Sequence, residues 1–142
     1  MKRLSAFILV LLFAFPAAQG AAGEETAHLR VIATSDLHGK FAPWDYALNK
    51  ESLSGSAAQL SAAIAAYRTP DTLLVDAGDT IQDNFAEIFL GSGVHPMVQA
   101  LNHLDYDVWV TGNHEYNFGM PALKKVIADM RPKTLEIGRA HV

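Results

Sequence analysis

Three short apolar stretches of the chain predict buried β-strands, and their ranges are 28–34, 72–75 and 108–110. The first begins with alternating residues and then becomes apolar and β-branched, which favours a strand over a helix. Each stretch stops abruptly, and polar residues with metal-binding side chains follow it at once. Because ligands of open α/β sheets bind beyond the carboxyl ends of the strands, the three loops are candidates for one shared site.

Apolar residues at helical spacing predict four helices, and their ranges are 56–68, 85–90, 96–104 and 121–130. The first is the clearest, because Ser56 is a candidate N-cap and Pro70 stops the helix. The stretch 41–55 is predicted to be irregular, His95 to lie at a helix start and His103 on a helix face. Strands that alternate with helices indicate parallel pairing with right-handed crossovers, so the sequence predicts an α/β fold.

The first 22 residues have the three-part layout of a secretory signal peptide. A basic start at 1–3 is followed by an apolar run at 4–15 and then by small residues. The apolar run is shorter than the roughly 20 residues that a membrane-spanning helix needs. We therefore expect cleavage near residues 20–22 and a periplasmic or secreted protein, with no membrane anchor once the leader is removed.

The last six residues, 137–142, are not typical of the end of a domain. The codons GAG ATC GGA AGA GCA CAC GTC would encode 136–142 and reproduce a short-read sequencing adapter, in which a stop codon follows. We interpret 137–142 as an adapter-derived tail and exclude His141 from the candidate ligands. The chain then consists of a signal peptide at 1–22, a domain part at 23–136 and this tail.

The composition excludes several kinds of site. The 142 residues include no cysteine, so disulfides, thiolate ligands and a cysteine nucleophile are all excluded. A net charge of -4 gives no sign of a groove for a nucleic-acid polymer. A metal ion would be bound by carboxylates, amides, imidazoles or backbone oxygens, which suit harder divalent ions.

The loops after the three strands contain these groups. Asp36 and His38 form an Asp-x-His pair, and alternate residues of an extended segment can reach the same cation. Asp79 follows a glycine, and its two carboxylate oxygens can bridge two cations. Asn113 offers a neutral carbonyl ligand for a second cation, while the adjacent His114 can act as a general acid.

These motifs, in this order and at these strand ends, resemble those of the calcineurin-like metallophosphoesterases. The resemblance covers about residues 29–130 and implies the N-terminal part of a four-layer α/β/β/α sandwich. Within the superfamily the chain is similar to the exported 5′-nucleotidases and 2′,3′-cyclic-nucleotide 2′-phosphodiesterases. The stretches that carry this similarity are 34–39, 76–82, 100–107 and 112–119. Asp76 is interpreted as part of the loop structure or as a support for the ligands.

The resemblance implies two divalent metal ions, whose identity among Mn, Zn, Fe, Mg and Ca stays open. Asp36 and His38 would bind the first ion, Asp79 would bridge the two, and Asn113 would bind the second. His114 would be the catalytic histidine near the leaving oxygen. The ions would hold the phosphate oxygens of a nucleotide or cyclic-nucleotide substrate while a hydroxide attacks phosphorus in line.

Asn117 discriminates between branches of the family. Many 5′-nucleotidases carry aspartate three residues after the catalytic histidine, whereas the cyclic phosphodiesterase/3′-nucleotidase branch commonly carries asparagine, as this chain does. Asparagine can orient an imidazole but cannot stabilise an imidazolium by charge, so we expect His114 to be less basic than it would be beside aspartate. Asn117 is therefore a second candidate catalytic residue, and it favours the cyclic-nucleotide branch.

The family's later histidine motifs, a lone histidine and a Gly-His-x-His pair, have no counterpart after Met130. We therefore expect the chain alone to show negligible turnover and its sheet to expose apolar surface where a partner layer would pack. Two other functions stay open. One is a thiosulfate-ester hydrolase of the same superfamily, and the other is a non-catalytic metal- or nucleotide-binding module.

Overall fold

The computed structural model describes residues 26–53, 55–91 and 93–135, so the predicted signal peptide and the predicted tail lie outside the described residues. The strands are β1 (Arg30–Thr34), β2 (Trp44–Asp45), β3 (Lys50–Glu51), β4 (Thr72–Asp76), β5 (Val108–Val110) and β6 (Lys133–Leu135). The α-helices are α1 (Ala57–Tyr67), α2 (Pro96–His103) and α3 (Gly119–Asp129), and 3₁₀ turns cover Ala86–Phe89 and His114–Tyr116. Within these ranges, no helix has both the length and the apolar character needed to cross a membrane.

The main sheet has four strands in the order β1-β4-β5-β6, and every neighbouring pair is parallel. This confirms the predicted α/β class and the parallel pairing of the three predicted strands. β2 and β3 pair antiparallel within the stretch that was predicted to be irregular. Since all four strands of the main sheet run the same way, the loops after β1, β4 and β5 emerge at one edge.

The predicted helix at 85–90 is wrong in type, because only a 3₁₀ turn forms there. Asp83, Asn84 and Phe85 all have positive φ, and three left-handed residues in succession cannot continue into an α-helical start. The α1 prediction is confirmed: Ser56 accepts a hydrogen bond from the backbone N–H of Gln59, whose side chain returns to the Ser56 backbone. α3 begins two residues before the predicted proline.

The sheet has one covered face and one open face. Leu74 and Trp109 are fully buried on the covered face, where they pack with residues of all three helices such as Ile64, Leu101 and Leu123. The residues next to them along each strand point to the opposite face, because successive side chains of a strand point in opposite directions. On that face Val31 of β1 is 57% exposed, so the described part of the chain leaves apolar sheet surface open to solvent.

His95 caps α2, as the sequence predicted, and its Nδ1 accepts a hydrogen bond of 3.2 Å from the Met97 backbone N–H. Its side chain is buried among core residues. Burial disfavours the charged imidazolium and lowers the pKa of His95 from its usual 6.5 to about 4. The folded protein therefore holds this imidazole neutral at pH values where the unfolded chain already protonates it.

We predict that His95 makes the fold sensitive to acid. As pH falls from 6.5 towards 4, His95 becomes protonated in the unfolded chain but stays neutral in the folded chain, so the free energy of unfolding drops. A shift of this size corresponds to roughly 3 kcal/mol. His95→Asn keeps a capping side chain but does not titrate. The decrease in its free energy of unfolding across this pH range should therefore be smaller than that of the wild type by about that amount. Urea denaturation of both proteins at several pH values measures the difference, and equal losses would contradict the prediction.

Candidate metal centre

The carboxyl ends of β1, β4 and β5 bring together three side chains that could bind a metal ion. His38, Asp79 and His114 each offer a ligand atom, and these atoms all lie within 4.8 Å of one another. The rings of His38 and His114 meet edge to face, with their centroids 5.2 Å apart. The sequence placed these residues on three separate loops, and the structure unites them at one edge of the sheet.

Backbone hydrogen bonds extend the pairing of β1 and β4 into their loops. The N–H groups of Asp36 and His38 donate to the carbonyls of Gly78 and Asp79 at 3.0 and 2.9 Å. Asp36, His38 and Asp79 all have positive φ, between 45° and 54°. Residues held in this region cost of the order of 1–3 kcal/mol each, a strain that folds retain mainly at functional sites. The hydrogen bonds between the loops hold this strained backbone in place.

The two other predicted metal ligands lie beside the cluster. Asp36 Oδ1 is 3.9 Å from His38 Nε2, and the Asp36 side chain is 65% exposed. Asn113 directly precedes the 3₁₀ turn that contains His114, and its side chain is exposed. Asp83, which the sequence did not single out, approaches from the other side, with its Oδ2 3.0 Å from His38 Nδ1 but without hydrogen-bond geometry.

The donor set fits a divalent metal ion. Imidazole nitrogens and a carboxylate converge from three directions, and carboxylates of Asp36 and Asp83 flank them. Nitrogen and oxygen donors of this kind suit Mn²⁺, Fe²⁺ and Zn²⁺, whereas the lack of cysteine removes the thiolates that softer ions prefer.

Glu115 joins the β4 loop to the β5 loop, a role for which its place next to His114 is the sole indication in the sequence. Its carboxylate is fully buried. Oε2 accepts hydrogen bonds from the backbone N–H groups of Asp79 and Gly112, at 2.8 and 2.7 Å. Oε1 accepts from those of Thr80 and Ile81, at 2.6 and 3.2 Å. One carboxylate therefore satisfies four backbone donors from two loops and fixes the backbone of Asp79.

Gly78 and Gly112 allow the two loops to approach this closely. A Cβ on Gly78, whose φ is +98°, would lie 2.3 Å from the Gly112 nitrogen. A Cβ on Gly112 would lie 2.3 Å from Asp79 Oδ1. Both distances are far below van der Waals contact, so a side chain at Gly78 would push the two loops apart, and one at Gly112 would displace the Asp79 carboxylate.

Asp76 supports the site from below, as the sequence interpretation allowed. It is fully buried at the end of β4 and accepts hydrogen bonds of 2.6 Å from both Thr34 Oγ1 and Thr80 Oγ1. Thr80 Oγ1 in turn accepts one from Trp109 Nε1 at 2.9 Å. Burial raises the pKa of Asp76, while the hydroxyl donors oppose that shift. The network ties the ends of β1, β4 and β5 together beneath the metal-binding side chains.

His114 is held by two amide side chains rather than by Asn117 alone. Its Nδ1 lies 2.7 Å from Gln82 Oε1 and 2.9 Å from Asn117 Nδ2. Its backbone N–H donates to Asp79 Oδ1 at 2.9 Å. Asn117 thus contacts the ring that the sequence predicts it to orient, and Gln82, the last residue of the stretch 76–82, is a second amide in contact with that ring.

Known proteins share this arrangement of sequence and fold. The family model for calcineurin-like phosphoesterases matches residues 29–136. The trifunctional nucleotide phosphoesterase protein YfkN of Bacillus subtilis (strain 168) is 35% identical over 135 residues, a match that covers 84% of this chain and 9% of that protein. A 2′,3′-cyclic-nucleotide 2′-phosphodiesterase/3′-nucleotidase of Yersinia enterocolitica is 40% identical over 111 residues, which are 72% of this chain and 17% of that protein.

The fold agrees as well. The crystal structure of calcineurin-like phosphoesterase YfkN from Bacillus subtilis matches with a TM-score of 0.67 at 32% identity, over 75% of this chain and 36% of that chain. This chain thus spans less than a fifth of the length of the two curated relatives. Since the family model matches nearly all of the described residues, this chain belongs to the calcineurin-like phosphoesterase family.

Proposed function

We propose that the protein hydrolyses phosphoesters of nucleotides at a two-metal site, and that 2′,3′-cyclic nucleotides and 3′-nucleotides are its substrates. The observation that carries this proposal is the convergence of His38, Asp79 and His114 at the ends of three parallel strands. The names of its relatives include nucleotide phosphoesterase and 2′,3′-cyclic-nucleotide 2′-phosphodiesterase/3′-nucleotidase, which supports a nucleotide substrate. Asn117 supports the cyclic-nucleotide branch over the 5′-nucleotidases.

Asp36 and His38 would hold one divalent ion, Asp79 would reach both, and Asn113 would hold the other. The bound ions would supply charge neutralisation at phosphorus and a nucleophile at neutral pH. The chain's own part is to place the donors in advance. Glu115 fixes the Asp79 backbone through its hydrogen bonds to the β4 loop, so little rearrangement is needed when a charged substrate arrives.

His114 is the residue that we assign to the leaving group. Its ring lies beside the Asp79 carboxylate, and it is only partly buried, so a substrate oxygen can reach it. An imidazole in that position can give a proton to the departing nucleoside oxygen. The amides of Gln82 and Asn117 orient the ring without adding charge, which distinguishes this site from one with an aspartate partner.

Turnover should also depend on histidines outside these 142 residues. The family pattern continues with two histidine motifs that have no counterpart after Met130, so we propose that the chain alone turns over negligibly. The layout of residues 1–22 supports export to the periplasm or the medium, where extracellular nucleotides would be the substrate pool.

The test uses the protein expressed from the complete reading frame, with Mn²⁺, and follows phosphoester hydrolysis of 2′,3′-cyclic AMP, 3′-AMP and 5′-AMP. We expect the highest kcat/KM for the first two, and a decrease of about 100-fold or more in kcat for His114→Gln, since general acids typically contribute that much. Hydrolysis of a thiosulfate ester without hydrolysis of any nucleotide would overturn the proposal. Metal and nucleotide binding without turnover would overturn it in favour of a binding module.

A further inference from the structure

Gln82, His114 and Asn117 form a closed contact at the edge of the candidate metal centre. Gln82 Oε1 lies 2.7 Å from His114 Nδ1 and 2.5 Å from Asn117 Nδ2. Asn117 Nδ2 lies 2.9 Å from His114 Nδ1, which closes the triangle. The hydrogen positions in this triangle decide which nitrogen of His114 is available to a substrate or a cation.

One assignment of the hydrogens makes the shortest contact to the ring favourable. An amide oxygen can only accept, so the 2.7 Å contact is a hydrogen bond when Nδ1 of His114 carries the proton. Without that proton, the lone pairs of Nδ1 and of Gln82 Oε1 would face each other at this distance. With it, the oxygen accepts from His114 and Asn117 together, which its two lone pairs permit. In this tautomer the longer contact of 2.9 Å between Asn117 Nδ2 and His114 Nδ1 joins two donors and is not a hydrogen bond.

We propose that Gln82 is a positioning residue that holds neutral His114 in the tautomer protonated at Nδ1. The ring then presents the lone pair of Nε2, which can bind a cation or take up the proton destined for a leaving oxygen. Free histidine favours the opposite tautomer, so the protein must supply the preference. For its chemical meaning this inference rests on the proposed function of His114, but the tautomer itself is a property of the protein alone.

Gln82 is better placed than Asn117 to set the tautomer. The N–H groups of the two residues before it, Thr80 and Ile81, donate to the buried Glu115 carboxylate, so the Gln82 backbone is anchored to the β5 loop. Its side chain is half-buried, whereas that of Asn117 is exposed. Asn117 presents its N–H₂ group to the triangle and donates to Gln82, which keeps the Gln82 oxygen turned towards His114.

The tautomer can be read directly by nitrogen NMR of the ¹⁵N-labelled full chain without metal. At about pH 8, well above the ordinary histidine pKa of about 6.5, the two ring nitrogens of a neutral imidazole give well-separated signals. The His114 signals are assigned by their loss in His114→Gln. We expect wild-type His114 to show a protonated Nδ1 and an unprotonated Nε2.

Two variants of matched size test the role of the Gln82 oxygen. Gln82→Glu keeps an acceptor and should keep the Nδ1 proton, while Gln82→Met has nearly the same shape without an acceptor and should move the proton to Nε2. Asn117→Ala should leave the tautomer unchanged. The backbone amide spectrum shows that each variant is folded, and the signals of His103, the exposed last residue of α2, serve as the internal reference.

A proton on Nε2 in the wild type would overturn the inference, and so would a Gln82→Met variant that keeps the proton on Nδ1. A loss of the Nδ1 proton in Asn117→Ala would transfer the role to Asn117. None of these results depends on turnover, so a failure of the inference is distinguishable from a failure of the proposed function. If the tautomer is as expected and nucleotides are not hydrolysed, only the proposed function is wrong.

Discussion

Glu115→Ala is expected to lower the free energy of unfolding by at least about 3 kcal/mol, because each buried donor left without a partner costs about 1–3 kcal/mol. Four backbone N–H groups lose their acceptor at once, and three of them belong to the loop that carries Asp79. The measurement is urea denaturation followed by circular dichroism. The carboxylate is fully buried, so bulk water does not reach these donors in the folded wild-type protein.

Two further variants separate the effect of the four Glu115 hydrogen bonds from a general effect of removing a negative charge. Glu115→Gln keeps one accepting oxygen but turns an N–H₂ group towards backbone donors. The decrease in its free energy of unfolding should therefore lie between zero and that of Glu115→Ala. Glu87 also accepts a backbone hydrogen bond, from Asp83, but at an exposed position. Glu87→Ala should therefore cost no more than about 1 kcal/mol. Similar decreases in the free energy of unfolding for Glu115→Ala and Glu87→Ala would show that the buried Glu115 carboxylate does not hold the two loops together.

Asp79→Asn is expected to weaken Mn²⁺ binding by more than about 100-fold, since changes in the groups that merely support metal ligands already cost 10–100-fold. The substitution keeps the size of the side chain and one oxygen but removes the charge at the point where His38 and His114 converge. Isothermal titration calorimetry with the metal-free protein measures the dissociation constant of each variant.

Asp105→Asn is the matched control for that experiment. Asp105 also has positive φ, 51° against 54° for Asp79, and its side chain is exposed at the loop before β5. Asparagine is therefore equally compatible with the backbone at both positions. Asp105→Asn should bind Mn²⁺ as tightly as the wild type. If Asp79→Asn bound equally well, the cluster of His38, Asp79 and His114 would not be a metal site.

The strands and the residues at their ends could be predicted because both signals are local. The apolar runs 72–75 and 108–110 predict buried strands from their composition alone. The carboxyl ends of parallel strands then lie at a common edge of the sheet. The same reasoning makes the loops that carry Asp79 and His114 candidates for one shared site. The sequence resemblance then assigned roles that local pattern alone leaves open.

The parts that could not be predicted depend on contacts between distant residues. β6 has only three residues, and their period is too short to distinguish a strand from a loop. The 3₁₀ turn at Ala86–Phe89 forms where left-handed residues interrupt a helical pattern. Glu115 looked like one more polar residue of a metal-binding loop, and only the folded chain shows that it turns inward to bind the backbone of another loop.

The hydrogen bonds of Glu115 also affect the order in which the parts of the site can form while the chain folds. The Glu115 carboxylate oxygens accept hydrogen bonds from backbone N–H groups as many as 36 residues earlier in the chain. These hydrogen bonds therefore close a long loop and not a local turn. Contacts of such separation form late, because the chain must pay the entropy of loop closure first. A nascent chain that already exposes Asp36, His38 and Asp79 therefore still lacks the carboxylate that fixes the Asp79 backbone. We therefore expect metal binding to wait until the β5 loop has emerged and the sheet has closed.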